Sequence, residues 1–186
     1  KGGIAITYRD NSKQFEPIGV FTPYEELNDI LDKINEKHPE SLSSIIASTM
    51  SYTITPAVNQ DYPELIDRLR TSAFKTLSPL FFDSVPNDNK DYISMIGLEN
   101  GKRTRKYIQS KYIKDKADTL YKYTLLVPAA IGSGKFGEIL STTIIAEPGV
   151  GFLQTFIGIG SYNDEEPIRN IQKYIKGKFA RTMLGV

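Results

Sequence analysis

The alternation of hydrophobic and polar positions opens the chain with two short strand patterns, GGIAITYR and IGVF, separated by the turn-rich DNSKQFEP. A helix pattern follows over residues 23 to 38. Thr22 stands as N-cap, Pro23 at the first helical position and Glu25 as the partner of a capping box, with Leu27, Ile30, Leu31 and Ile34 on one face. Lys37, His38 and Pro39 end it. SLSSIIAS is a short apolar segment of undecided type, PELIDRLR has the spacing of a helical turn or two, and SPLFFDSVP supplies aromatic side chains to a core.

YISMIGLE and KRTRKYIQ flank Asn100-Gly101, which predicts a β-hairpin, because Asn-Gly accepts the positive φ angles of a type I′ turn. The pattern stays β-rich through YKYTLLVPA, EILSTTIIA and GFLQTFIGIG, then turns helical. Asn163 or Asp164 caps the final helix, Glu165, Glu166 and Pro167 fill its first turn, and Ile168, Ile171, Ile175, Phe179 and Met183 recur at helical spacing. Acid at its start and Lys173, Lys176 and Arg181 towards its end suit the helix dipole. The fold class read from these elements is mixed α/β (α+β): a twisted, largely antiparallel sheet flanked by helices near residues 23 to 38 and 164 to 184.

At 186 residues, 40% hydrophobic and 24% charged, the chain has the composition of an ordinary globular protein with one sizeable core. It has no cysteine, which excludes a disulfide framework and thiolate metal sites and fits a reducing compartment. No apolar run reaches the roughly 20 residues of a membrane-spanning helix, so the expectation is a cytoplasmic protein. Beginning at Lys1 rather than Met, the chain reads as a piece of a longer polypeptide.

Charge distribution changes the picture more than composition does. Lys102, Arg103, Arg105, Lys106, Lys111, Lys114 and Lys116 stand against the single Asp115, a local +6 that leaves −5 for the remainder of a chain of net charge +1. Such a strip is the footprint of a phosphate-backbone contact, or alternatively a solvated strand edge in which lysines discourage aggregation. Alternation sends Arg103, Arg105 and Tyr107 to one face of the returning strand and Lys102, Thr104 and Lys106 to the other.

The stretch IGSGKFG (131–137) carries the spacing of a dinucleotide fingerprint and the Gly-Lys end of a triphosphate loop. The triphosphate reading fails because Ala129 and Phe136 stand where a Gly and a Ser or Thr are required. The dinucleotide reading needs a following helix, and EILSTTIIA is rich in β-branched residues instead. What remains is a Gly/Ser turn between strands whose Ser133 and Lys135 can approach a nucleic-acid phosphate closely, with EPGVGF bordering the same surface. His38, the only histidine, is explained by a helix end; Asp88-x-Lys90 lacks the partner acid of a metal-dependent nuclease and reads as a turn. No catalytic residue, cofactor loop or metal-ligand set emerges.

KGGIAITYRD, SLSSIIAS, SPLFFD, YISMIGLENGKRTRKYI, LLVPAAIGSGKFGE and EPGVGFLQTFIGIGSYNDEEPIRNIQKYIKGKFARTMLG follow one another along the chain. In order and texture this series resembles the C-terminal target-recognition region of adenine N-6 DNA methyltransferases of restriction-modification systems (Type II, including fused restriction-methylase enzymes). The resemblance implies that residues 1–22 are the last strands of a catalytic domain and 23–186 a target-recognition domain, and that double-stranded DNA is the partner. It also implies an upstream domain of the same chain that binds S-adenosylmethionine and carries the catalytic tetrapeptide; neither feature occurs in this sequence. The DNA-contacting set expected here is Lys102, Arg103, Arg105, Lys106, Lys111, Lys114, Ser133 and Lys135. Two other classes compete with it: a protein-interaction or regulatory module with a solvated basic edge, and a small nucleotide-binding enzyme using the Gly loop.

Overall fold

The computed structural model describes residues 7, 9–14, 22, 24–37, 40–65, 68–130 and 142–184. Pro23, His38 and the Gly/Ser loop with Ser133 and Lys135 lie outside the described residues. The chain divides into two compact units, Lys1–Pro39 and Glu40–Val186.

In the first unit, helix α1 (Glu25–Asn35) starts two residues later than the sequence suggested, with Tyr24 rather than Thr22 at the N-cap and no side-chain cap. Thr22 is instead clamped by Asn28: its N–H donates to Asn28 Oδ1 at 3.2 Å and its carbonyl accepts from Asn28 Nδ2 at 3.0 Å. That reciprocal pair fixes the chain entering the helix as a capping box would, but from one turn deeper.

The second unit is mixed α and β, with mostly antiparallel pairing, and its strands form three small sheets rather than one. Strands β1 (Ile46–Ala47) and β2 (Tyr52–Ile54) precede short helices α2 (Ala57–Asp61) and α3 (Ala73–Thr76). The hairpin β3 (Tyr92–Glu99) and β4 (Lys102–Gln109) follows, then β5 (Ile113–Asp115), β6 (Tyr123–Pro128), β7 (Ile144–Ala146), β8 (Val150–Phe152) and β9 (Phe156–Tyr162), and finally helices α4 (Glu165–Ile175) and α5 (Lys178–Leu184). The sheet orders are β1-β9-β6-β7, β2-β5 and β4-β3-β8. Among the described residues all pairs are antiparallel except β3 with β8.

Alternation along β6 separates two cores. Leu125 and Val127 meet Ile159, Ile168 and Ile175 beneath α4, while Leu126 joins the larger core of Phe74, Leu77, Met95, Ile108, Phe152 and Phe156. The final helix breaks in two because Gly177, a weak helix former, donates to Tyr174 O at 2.9 Å and tightens the last turn of α4. Among the described residues of PELIDRLR there is no helix; the chain runs irregularly and buries Leu69.

Candidate nucleic-acid interface

Both turn residues of the hairpin have the positive φ that their sequence demands, 51° at Asn100 and 76° at Gly101, and Glu99 pairs with Lys102 across the turn. The register then runs Leu98 opposite Arg103, Ile96 opposite Arg105 and Ser94 opposite Tyr107. Paired residues share a face, so Arg103, Arg105 and Tyr107 lie together and Lys102, Thr104 and Lys106 lie opposite, as alternation requires. Among the described residues, strand β4 is an edge of its sheet, covered at Tyr107, whose backbone exchanges two 2.8 Å hydrogen bonds with Phe82.

The cations of the strip fall into distinct environments. Lys106 Nζ lies 2.9 Å from Glu99 Oε1 and 3.2 Å from Asp83 Oδ1, 5.8 Å above the Phe74 ring, with its side chain only 14% exposed. The hydrogen bond to Glu99 holds its ammonium above the ordinary lysine value against the opposing effect of burial. Lys111 Nζ is 2.6 Å from Asp61 Oδ2, which also accepts from Tyr112 Oη at 2.8 Å. Asp61 is accordingly held below the ordinary carboxyl range, first by Lys111 and then by Tyr112.

Lys102, Arg105, Lys114 and Lys116 make no ion pair among the described residues. Arg103 stacks 5.6 Å above the Phe156 ring. The strip is also not one surface. After β4 the chain makes a 3-10 turn at Ser110–Tyr112, and Lys114 stands on β5 opposite Thr53 in a different sheet.

Two adjoining cavities are bordered by cations of the strip and of the segment before α3. The first, about 370 Å³, is bounded by Thr71, Leu98, Arg103, Gln154, Thr155 and Phe156 among others. The second, about 410 Å³, is bounded by Met50, Tyr52, Arg68, Leu69, Lys116 and Gln154 among others. Gln154 belongs to both walls, as does the segment 68–71, and neither lining contains an aspartate or glutamate among the described residues. Three cations from distant parts of the sequence therefore border one groove. Arg68 and Gln154 had no mark in the sequence, since PELIDRLR showed only helical spacing and GFLQTFIGIG only strand pattern.

Ala130, the residue before the Gly/Ser loop, also lines the first cavity. Val150, Gly151 and Phe152 of EPGVGF form the buried strand β8, and the turn after it borders the groove. Asp88 is held in a local cluster, with Lys90 Nζ 3.0 Å away and Tyr92 Oη donating at 3.0 Å. Among the described residues no group of three His, Cys, Asp or Glu side chains could hold a metal ion, and no helix is long and apolar enough to cross a membrane. Comparison with family models, with curated proteins and with solved structures finds no match to this chain.

Proposed function

We propose that this chain binds double-stranded DNA, as the target-recognition part of a site-specific adenine N-6 DNA methyltransferase of a restriction-modification system acting in the cytoplasm. The observation that carries the DNA-binding reading is the double cavity joined at Gln154 and bordered by Arg103, Arg68 and Lys116, with no acidic side chain among its described lining residues. No aspartate or glutamate stands among the described residues of this lining, which suits a phosphate backbone running past it. The methyltransferase assignment rests on the order of the segments quoted above, and it places S-adenosylmethionine and the methyl-transfer chemistry in an upstream domain of the same polypeptide.

The reading is tested by fluorescence anisotropy with a labelled duplex over a salt series. Wild type should bind with a steep inverse dependence on salt, and Arg68→Ala, Arg103→Ala and Lys116→Ala should each lower the slope by about 1. A chain that shows no salt-dependent duplex binding would overturn it.

A protein-interaction module with a solvated basic edge is the second reading. It is favoured by the edge position of β4 and by the internal pairing of Lys106 and Lys111. On that reading Lys102→Thr with Arg105→Thr promotes self-association through the bared edge and leaves duplex affinity unchanged.

A further inference from the structure

The turn that joins β8 to β9 has features the proposed DNA contact does not by itself explain. Leu153 and Phe156 are each 1% exposed and anchor the turn from below. Phe156 N–H closes it onto Leu153 O at 3.0 Å, Leu153 N–H donates to Ile96 O at 2.9 Å, and Ala129 N–H donates to Thr155 O at 2.9 Å. The turn is thus tied to both larger sheets of the unit, through β3 and through the end of β6. Such a backbone presents its two central side chains, Gln154 and Thr155, without the adjustment a free loop would need.

Both of those side chains lack internal partners. The Gln154 carboxamide makes no hydrogen bond among the described residues, although it is partly buried, and Thr155 Oγ1 is buried with none either. Thr155 Oγ1 is closed to solvent, so the side chain of this braced turn that offers a donor and an acceptor to an outside partner is Gln154, which lines both cavities. Cations stand to either side of it, with Arg103 in one cavity and Arg68 and Lys116 in the other. Phosphate contacts on both flanks hold a duplex in register, and the group between them faces the groove where base edges are displayed.

We infer that Gln154 is a base-reading residue and that its partner is an adenine in the major groove. A carboxamide offers a carbonyl acceptor beside an N–H donor, and adenine presents the complementary N6–H donor beside the N7 acceptor. Guanine offers two acceptors at the same edge and cannot satisfy both halves of the amide. The inference rests on the DNA-binding reading, and Arg68, Arg103 and Lys116 serve it by positioning the backbone.

The test is selection of the full chain on a pool of randomised duplexes, followed by affinity measurements on the enriched site. Wild type should enrich a site containing an A·T pair at which Gln154→Ala loses preference, with cognate affinity falling about 5- to 150-fold. Affinity for unrelated duplex, the salt slope and the thermal midpoint should stay as in wild type. Replacing the adenine by 7-deazaadenine should weaken wild type and have no further effect on the variant. Gln154→Glu should move the preference at that pair towards cytosine, whose N4–H group donates to a carboxylate.

If wild type enriches a site and Gln154→Ala enriches the same one with undiminished preference, the assignment of Gln154 is wrong while DNA binding stands. Duplex binding with no sequence preference would equally overturn the assignment alone. A wild-type chain that binds no duplex removes both.

Discussion

Lys106 and Glu99 lie on the same face of the hairpin and form an ion pair of 2.9 Å at its open edge. Between them, Gly97 has no side chain, and the lysine stem passes over the Phe74 ring to reach Glu99 and Asp83. The most shielded cation of the basic strip is therefore a fastening between β4, the start of the turn and the segment before β3.

Lys106→Ala should destabilise the fold by roughly 1 kcal/mol, through lost stem packing as much as lost charge. Its salt-dependent duplex affinity should stay near that of wild type. Chemical denaturation and anisotropy on the same preparation check this; unchanged stability with a DNA-binding loss matching Lys116→Ala would return Lys106 to the interface.

Gly97→Ala should cost about 1 to 3 kcal/mol, because a Cβ there would come within 2.5 Å of Leu153 Cδ1 and 3.0 Å of Phe74 Cε2. Leu153 begins the turn that carries Gln154, so the displacement should reach the groove, and duplex affinity should fall with stability. A variant of wild-type thermal midpoint and wild-type affinity would show that Leu153 has room to move.

Asp61 titrates below the ordinary carboxyl value of 3.8 because Lys111 and Tyr112 hydrogen-bond its ionised form. The stability it contributes is present above that value and is lost as pH falls through the lowered folded-state pKa. Asp61→Asn should be less stable than wild type at neutral pH and should lose less on acidification to pH about 3. Equal losses in the two proteins would show that the contact is not formed in solution.

Tyr52 behaves oppositely. Burial raises its phenol above the ordinary 10.0, against the 2.6 Å hydrogen bond with Thr119 Oγ1, so the folded state favours the protonated form. That contribution is complete below pH 10.0 and declines as pH rises beyond it, where the unfolded chain ionises first. Tyr52→Phe keeps the edge contact with Phe152 at 5.1 Å and should cost about 1 kcal/mol at neutral pH. Its alkaline decline in stability should be shallower than that of wild type, as read by denaturant melts from pH 8 to 11.

The hairpin and the final helix were legible because their signals are local. Asn100-Gly101 fixes a turn by backbone sterics, and the recurrence from Ile168 to Ile175 fixes a buried helix face. The groove was not legible because its walls come from segments 68–71 and 153–156, each of which carries a different local signal. Charge counting found the strip but could not find its partners: Asp61 and Asp83 lie far upstream, and only contacts reveal that Lys106 and Lys111 are neutralised. Similarly, Asn28 gave no sign of replacing the expected cap, since its pairing with Thr22 depends on how the chain bends before α1.

The parallel pairing of β3 with β8 sets an order on how this surface comes into being. The β3–β4 hairpin closes through a two-residue turn, a step needing little loop entropy, whereas Ser94 meets Val150 only after the intervening chain has been gathered in. Arg103 is therefore placed on its strand early, while the turn beyond β8 reaches it only when this long-range contact closes. A nascent or partly folded chain would carry the charges without the cleft between them, so selective binding at the groove would itself signal that the long-range closure is complete.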